Sequence, residues 1–139
     1  MTEFVDVNVQ SALLTQLTNP DLGYPVAFPL VPYTPTDGVA FLQVWPLMSA
    51  EPLHPSLDYS GYTRSSGIFQ VDAVMPDGQG EAPGLRITAK VAERFAIGTT
   101  LTAGARKLQI NKVPKVSAWI KEGAWVRFPV SITYQIITP

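Results

Sequence analysis

The sequence has no cysteine, which removes both a disulfide framework and any thiolate metal site. Its one histidine is His54, and a lone imidazole without thiols does not assemble the usual zinc sets. Charge is scarce as well. Asp, Glu, Lys and Arg make up 15% of the chain, against about 25% in soluble domains. With a formal net charge of -1, the chain lacks the broad basic surface that sequence-independent phosphate binding needs, which argues against nucleic acid as a tight ligand. No apolar window approaches the roughly 18 to 20 residues of a membrane span. The start, Met1-Thr2-Glu3-Phe4, has neither the basic residues nor the apolar stretch of a signal peptide. The expectation is a protein made in the cytoplasm and kept there unless it leaves as part of a larger particle.

What is present is apolar material, 46% of 139 residues. A chain of this size forms one domain and buries roughly 68% of its unfolded surface. A single domain over 1–139 is expected, with no internal repeat and no low-complexity tract. Val5, Val9, Ala12, Leu13 and Leu17 recur at helical spacing between Glu3 and Thr18, and Asn19-Pro20 ends that helix. Residues 24–30 read as a short strand, confined to an edge by Pro25 and Pro29. After the Asp37-Gly38 turn, residues 39–47 form a strand with Ala40, Leu42 and Val44 on one face and Phe41, Gln43 and Trp45 on the other.

Residues 49–66 carry no usable period and read as a long loop, of a length that is usually functional or disordered. Leu53, Leu57, Tyr59 and Tyr62 make it too apolar for a plain solvated linker, so it is expected to order against a partner. A strand over 67–75 follows, with Phe69, Val71 and Ala73 on one face. A second helix opens near Gly80 to Pro83, with Leu85, Ala89, Ala92 and Phe95 as its expected buried stripe and Gly98 as its expected C-terminal cap. Two short strands, 99–103 and 107–113, turn at Gly104, and residues 116–123 read as either strand or loop. Val126, Phe128, Val130, Ile132, Tyr134 and Ile136 then alternate with polar residues, the mark of a strand packed on one side and wet on the other. The fold expected is α+β, a mostly antiparallel sheet of five or six strands with two helices packed on one face.

The candidate chemistry is thin. His54 lies between Pro52 and Pro55 and reads as a loop or interface residue. Asp72, Asp77 and Glu81 each have a structural reading: polar strand face, turn, and first helical turn near the positive end of the dipole. Asp58 completes the carboxylates available to pair for acid–base work. The run from Gly78 through Gly80 to Gly84 lacks the Lys and Ser/Thr of a phosphate loop, and Pro83 stands where a dinucleotide fingerprint needs its third glycine. No catalytic, cofactor-binding or metal-binding residue is assigned. Contact residues are sought in Trp45, the wet-face tryptophan, since tryptophan dominates hot spots. Others are sought in Leu53, His54, Leu57, Tyr59 and Tyr62 of the loop, and in the basic stripe Arg86, Lys90 and Arg94.

Three stretches together resemble the phage tail terminator-like family, similar in architecture to the minor tail protein U of lambda-like phages. They are Val31-Pro32-Tyr33-Thr34-Pro35 to Asp37-Gly38 ahead of Phe41-Leu42; Gly67-Ile68-Phe69-Gln70-Val71 through Pro76, Gly78, Gly80 and the helix ending in Phe95; and Trp125 to Tyr134. The first helix matches only in type and period. The resemblance implies a non-enzymatic virion protein of the head-proximal tail end, with no cofactor. It implies a homo-oligomeric ring, six copies, that caps the tail tube and meets a tube protein and a head-completion or stopper protein, with DNA only as passing cargo. Two alternatives stay open: another neck or tail subunit (tube, stopper or connector), and a small cytosolic α+β enzyme or ligand-binding domain using the acids and His54.

Overall fold

Strict alternation over 126–136 produces the strand it predicts, and a partner of equal length lies beside it. The computed structural model describes residues 7–19, 21–49, 56–57, 63–104 and 106–138. The chain runs α1 (Val7–Thr18), β1 (Val26–Ala27), β2 (Phe41–Val44), β3 (Met48–Ser49), β4 (Ser56–Leu57) and β5 (Thr63–Pro76). It continues through α2 (Ala82–Arg94), β6 (Thr100–Ala103), β7 (Arg106–Ile110), β8 (Lys115–Val116), β9 (Ile120–Glu122) and β10 (Trp125–Thr138). Strands β5 and β10 are 14 residues each and pair antiparallel without a break, from Thr63 opposite Thr138 to Pro76 opposite Trp125.

Every other strand hangs on this pair. The central order is β1-β2-β5-β10-β7-β6, with β3 and β4 also on β5 and β8 and β9 also on β10. The expected sheet of five or six mostly antiparallel strands is thus corrected to a mixed sheet. Ten strand segments lie among the described residues, and β1 runs parallel to β2. The extra segments arise because the outer edge of β10 is lined in pieces. Between β9 and β8, residues 117–119 face only Phe128 and Pro129; between β8 and β7, residues 111–114 face only Ile132 and Thr133. Both are bulges of an edge segment. Pro129 explains the first. Its carbonyl accepts from Ser117 N at 3.0 Å, and a strand residue's N–H and C=O point the same way, so the donor that proline lacks is missing on this very side.

The core lies on one face. Leu42 and Val44, Phe69, Val71 and Ala73, and Phe128, Val130, Ile132 and Tyr134 are buried together against Val9, Leu13 and Leu17 of α1 and Ile87, Val91 and Phe95 of α2. Both helices therefore cover the same face of the sheet. On α2 the expected stripe is corrected: Leu85 is 47% exposed and Ala89 is exposed, while Gly84, Ile87, Thr88, Val91 and Phe95 are buried. The helix is turned because Gly84 is its point of closest approach. A Cβ there would stand 2.3 Å from Cε1 of Phe128. Gly98 does take a positive φ of 90°, but the helix already ends at the Phe95 cap, and Gly98 N instead donates to Ile110 O at 2.8 Å. The 67–75 strand begins earlier than expected, at Thr63, and pairs with Ser56 and Leu57 of β4 inside the span read as a loop.

The Gly84–Phe128 contact yields a double-mutant test. Gly84→Ala overpacks and should cost about 1–3 kcal/mol; Phe128→Ala should cost about 3–5 kcal/mol. With the ring gone the glycine requirement goes too, so Gly84→Ala in the Phe128→Ala background should cost far less than alone. Denaturant titration of the four proteins checks this, and additive losses would show that the two residues do not meet.

Candidate functional site

Away from the helices, the alternation that buries one set of side chains presents the other set on the open face. There Phe41, Val74 and Ala27 form a small apolar cluster with Tyr33 and Trp125 against it. Phe41 meets Tyr33 at 4.9 Å and Trp125 edge-on at 5.6 Å between ring centroids. Beside them Asp72, only 2% exposed, sits at the middle of the sheet. A buried carboxylate needs donors, and three side chains supply them: Trp45 Nε1 at 2.7 Å, Gln70 Nε2 at 3.1 Å and Arg127 Nη1 at 3.5 Å. Arg127 also donates to Gln43 Oε1 and pairs through Nε with Glu122 at 3.1 Å. Its guanidinium lies 5.7 Å from the Trp45 ring centroid, within cation–π range. Trp45 thus stands on the wet side as expected, 37% exposed, but with its indole N–H committed to Asp72. Next to it a groove of about 440 Å³ is lined by residues including Phe28, Tyr33, Phe41, Pro46 and Arg127.

A second hollow, about 360 Å³, lies where β5 leaves the sheet, between Met75, Asp77, Glu81, Trp119, Lys121 and Phe128. Glu81 precedes α2 yet makes no side-chain cap bond; its Oε1 accepts from Trp119 Nε1 at 2.7 Å. Asp77 pairs with Lys121 at 2.9 Å, and that hydrogen bond holds its carboxyl below the ordinary value. Gly78 N also donates to Asp77 Oδ1 at 2.9 Å. The three carboxylates Asp72, Asp77 and Glu81 are each engaged in holding strands and turns together: Asp72 by Trp45, Gln70 and Arg127, Asp77 by Lys121 and Gly78, and Glu81 by Trp119.

On α2, Arg86 and Lys90 are exposed, and Lys90 lies over the Tyr24 ring at 5.3 Å. Arg94 of the same stripe is turned inward: Nη1 donates to the carbonyls of Gln16 and Leu17 at 3.1 and 3.2 Å, and Gln16 Nε2 returns a bond to Arg94 O at 2.8 Å. Such bonds satisfy the open carbonyls at the end of α1. Leu53, His54, Asp58, Tyr59 and Tyr62 lie outside the described residues, and Leu57 is described only as backbone of β4.

Sequence reasoning missed the outward-facing apolar residues of the sheet's two edges. Leu30 is fully exposed at the tip of the turn closed by Val31 N on Phe28 O, and it takes a φ of 60°. Left-handed backbone costs a non-glycine residue roughly 1–2 kcal/mol. The sequence places Leu30 at the end of a short strand, since nothing in its residue type signals a positive φ. Across the sheet, Trp119 and Ile120 are half-exposed on β9 and its approach.

In this α+β fold Asp72, Asp77 and Glu81 serve the sheet and its turns, and large apolar residues face outward at two edges. The chain belongs to the phage tail terminator protein family, whose model matches residues 8–134. It is therefore a structural protein of the virion tail and not an enzyme. One solved structure is similar over 93% of each chain, at 20% identity and a TM-score of 0.73. A second, titled "Virion of native gene transfer agent (GTA) particle", is similar over 98% of this chain and 99% of that one, at 16% identity and a TM-score of 0.68. At these identities the likeness is one of fold. No curated protein sequence matches the chain.

Trp45→Phe keeps the ring and removes the donor to a buried carboxylate, so stability should fall by about 1.5–3 kcal/mol. An unchanged denaturation midpoint would mean that water replaces the indole. Leu30→Gly relieves the backbone at no cost in packing and should leave the isolated subunit as stable as before or up to about 1 kcal/mol more stable. A loss of that size in thermal unfolding would show that Leu30 packs inside its own subunit.

Proposed function

We propose that the chain forms a homo-oligomeric ring of six copies on the head-proximal end of the tail tube, ends tube polymerisation there and offers the surface that joins the head. Membership of the tail terminator family carries this reading. The fold it shares with a chain of a gene transfer agent virion is in keeping with it. The partners are further copies of itself, the tail tube protein and a head-completion or stopper protein, with DNA as cargo passing through. Contacts to them draw on Trp45, Arg86 and Lys90, on residues 49–66 with Leu53, His54, Leu57, Tyr59 and Tyr62, and on Arg94 from its place beside the end of α1.

The test is a tube-capping assay. Purified chain added to polymerising tube protein should halt growth and leave ring-shaped density at one end in negative stain. Incorporation along the tube would instead make it a tube subunit, and binding only to a finished head connector would make it a stopper. His54→Ala and Glu81→Gln, if folded, should cap as the parent does, because function spread over a surface does not hang on one proton. Loss of an acid or base costs an enzyme about 10²–10⁴-fold, and a loss on that scale in either variant would defeat the reading.

A further inference from the structure

The charges of this chain are sorted along its length. No Lys or Arg precedes Arg64, while Glu3, Asp6, Asp21, Asp37, Glu51 and Asp58 do; all 10 basic residues lie from Arg64 onward. The fold turns that division into two edges. Residues 21–49 supply the β1 side of the sheet and hold Asp21 and Asp37, both exposed, with no cation of their own; Lys90 reaches this side from α2, at the Tyr24 ring. Residues 111–122 supply β8 and β9 at the opposite side of β10; there Lys121 is paired with Asp77, Glu122 with Arg127, and Trp119 donates to Glu81, which leaves the exposed Lys112 and Lys115 as the cations that set the sign of the β8 stretch.

The two edges stand level with each other. Ile120 of β9 faces Arg127, Arg127 faces Val74, and Val74 faces Phe41, next to which β1 pairs with Leu42 and Gln43. Both edges also carry exposed apolar side chains: Leu30, Val31, Val39 and Met48 on the acidic side; Val113, Val116, Trp119 and Ile120 on the basic side. Each combines the apolar centre and charged rim of a protein contact, and the two signs are opposite. An acidic apolar edge meets itself with like charges opposed, as does a basic one, so neither suits a two-fold contact. Each suits the other.

We infer that the β1 edge of one copy docks on the β8–β9 edge of the next, with Leu30 and Val31 seated against Trp119 and Ile120 and Asp21 and Asp37 facing Lys112 and Lys115. The contact is head-to-tail, as a closed ring requires, and this inference rests on the ring reading above. Proline limits strand pairing on the docking edge, since Pro29 follows β1 and cannot donate. Side chains, not an added strand, make the contact.

Charge reversal tests it on the full chain, by sedimentation and by tube capping. Lys112→Glu/Lys115→Glu and Asp21→Lys/Asp37→Lys should each weaken self-association about tenfold or more, and the two pairs combined in one chain should restore it. Association of the parent should also weaken as salt rises. Because the chain has no cysteine, a second measurement needs no fold-sensitive charge change. Val31→Cys and Ile120→Cys proteins, mixed and oxidised, should give a disulfide-linked pair that neither gives alone. Linkage of one variant to itself would overturn the head-to-tail contact, as would charge-reversed proteins that associate like the parent. In both cases a ring formed by the parent keeps the ring reading standing. A parent that neither self-associates nor caps tubes would defeat the ring reading and the contact with it.

Discussion

The unbroken antiparallel pairing of β5 with β10 is the constraint on which the rest of the molecule depends. Strands of 14 residues far exceed the usual five or six and extend about 45–48 Å at 3.2–3.4 Å per residue. Helix α2, at 1.5 Å per residue, covers only about 20 Å of that length. The pair therefore acts as a spine, too long for one helix to cover and long enough to carry several short partners on each outer edge. Its register fixes which residues face the helices, and a slip of β5 by one residue would put Val71 on the open face and Asp72 in the core.

Close approach across this spine is made by glycine. Tyr134 lies against Gly67 directly opposite it, where a Cβ would come within 2.3 Å of the tyrosine oxygen, and Phe128 lies against Gly84 of α2 in the same way. In both places a large aromatic occupies the space that a missing side chain leaves. The buried carboxylate Asp72 belongs to the same economy of space. It ties Trp45 of the segment after β2, Gln70 of β5 and Arg127 of β10 across the open face, the face away from α1 and α2.

These contacts explain which parts were legible in the sequence. The alternation of β10, the two faces of β2 and the α1 stripe all rest on residues whose polarity matches their side of the layer, and they are read directly. The α2 stripe was misplaced because Leu85, Ala89 and Ala92 also fall at helical spacing, while the true contact includes Gly84 and Thr88, which are weak apolar signals. The start of β5 was hidden for a similar reason: Ser65, Ser66 and Gly67 look like loop residues until Tyr134 is placed across from them. Arg94 carries the same lesson for charge. Three basic residues at steps of four look alike in sequence, yet only the third comes within reach of the open carbonyls of α1. For the expected contact residues of 49–66, the described backbone of β4 shows only that part of this span joins the sheet.

The spine also bears on how a single sheet can serve an assembly. Adjacent strands of a sheet are rotated by about 20–25° with a fixed hand, so the β1 and β9 edges, four steps apart in the order β1-β2-β5-β10-β9, face in different directions. On the proposed edge-to-edge contact, each added copy inherits that rotation, and repeated rotation of one hand either closes a ring or climbs into a helix. What decides between them is the translation along the axis at each contact, which the charged rims set by fixing how far one edge slides along the other. A rigid spine makes that outcome uniform from copy to copy, because the two edges are joined through hydrogen-bonded strands and not through a hinge.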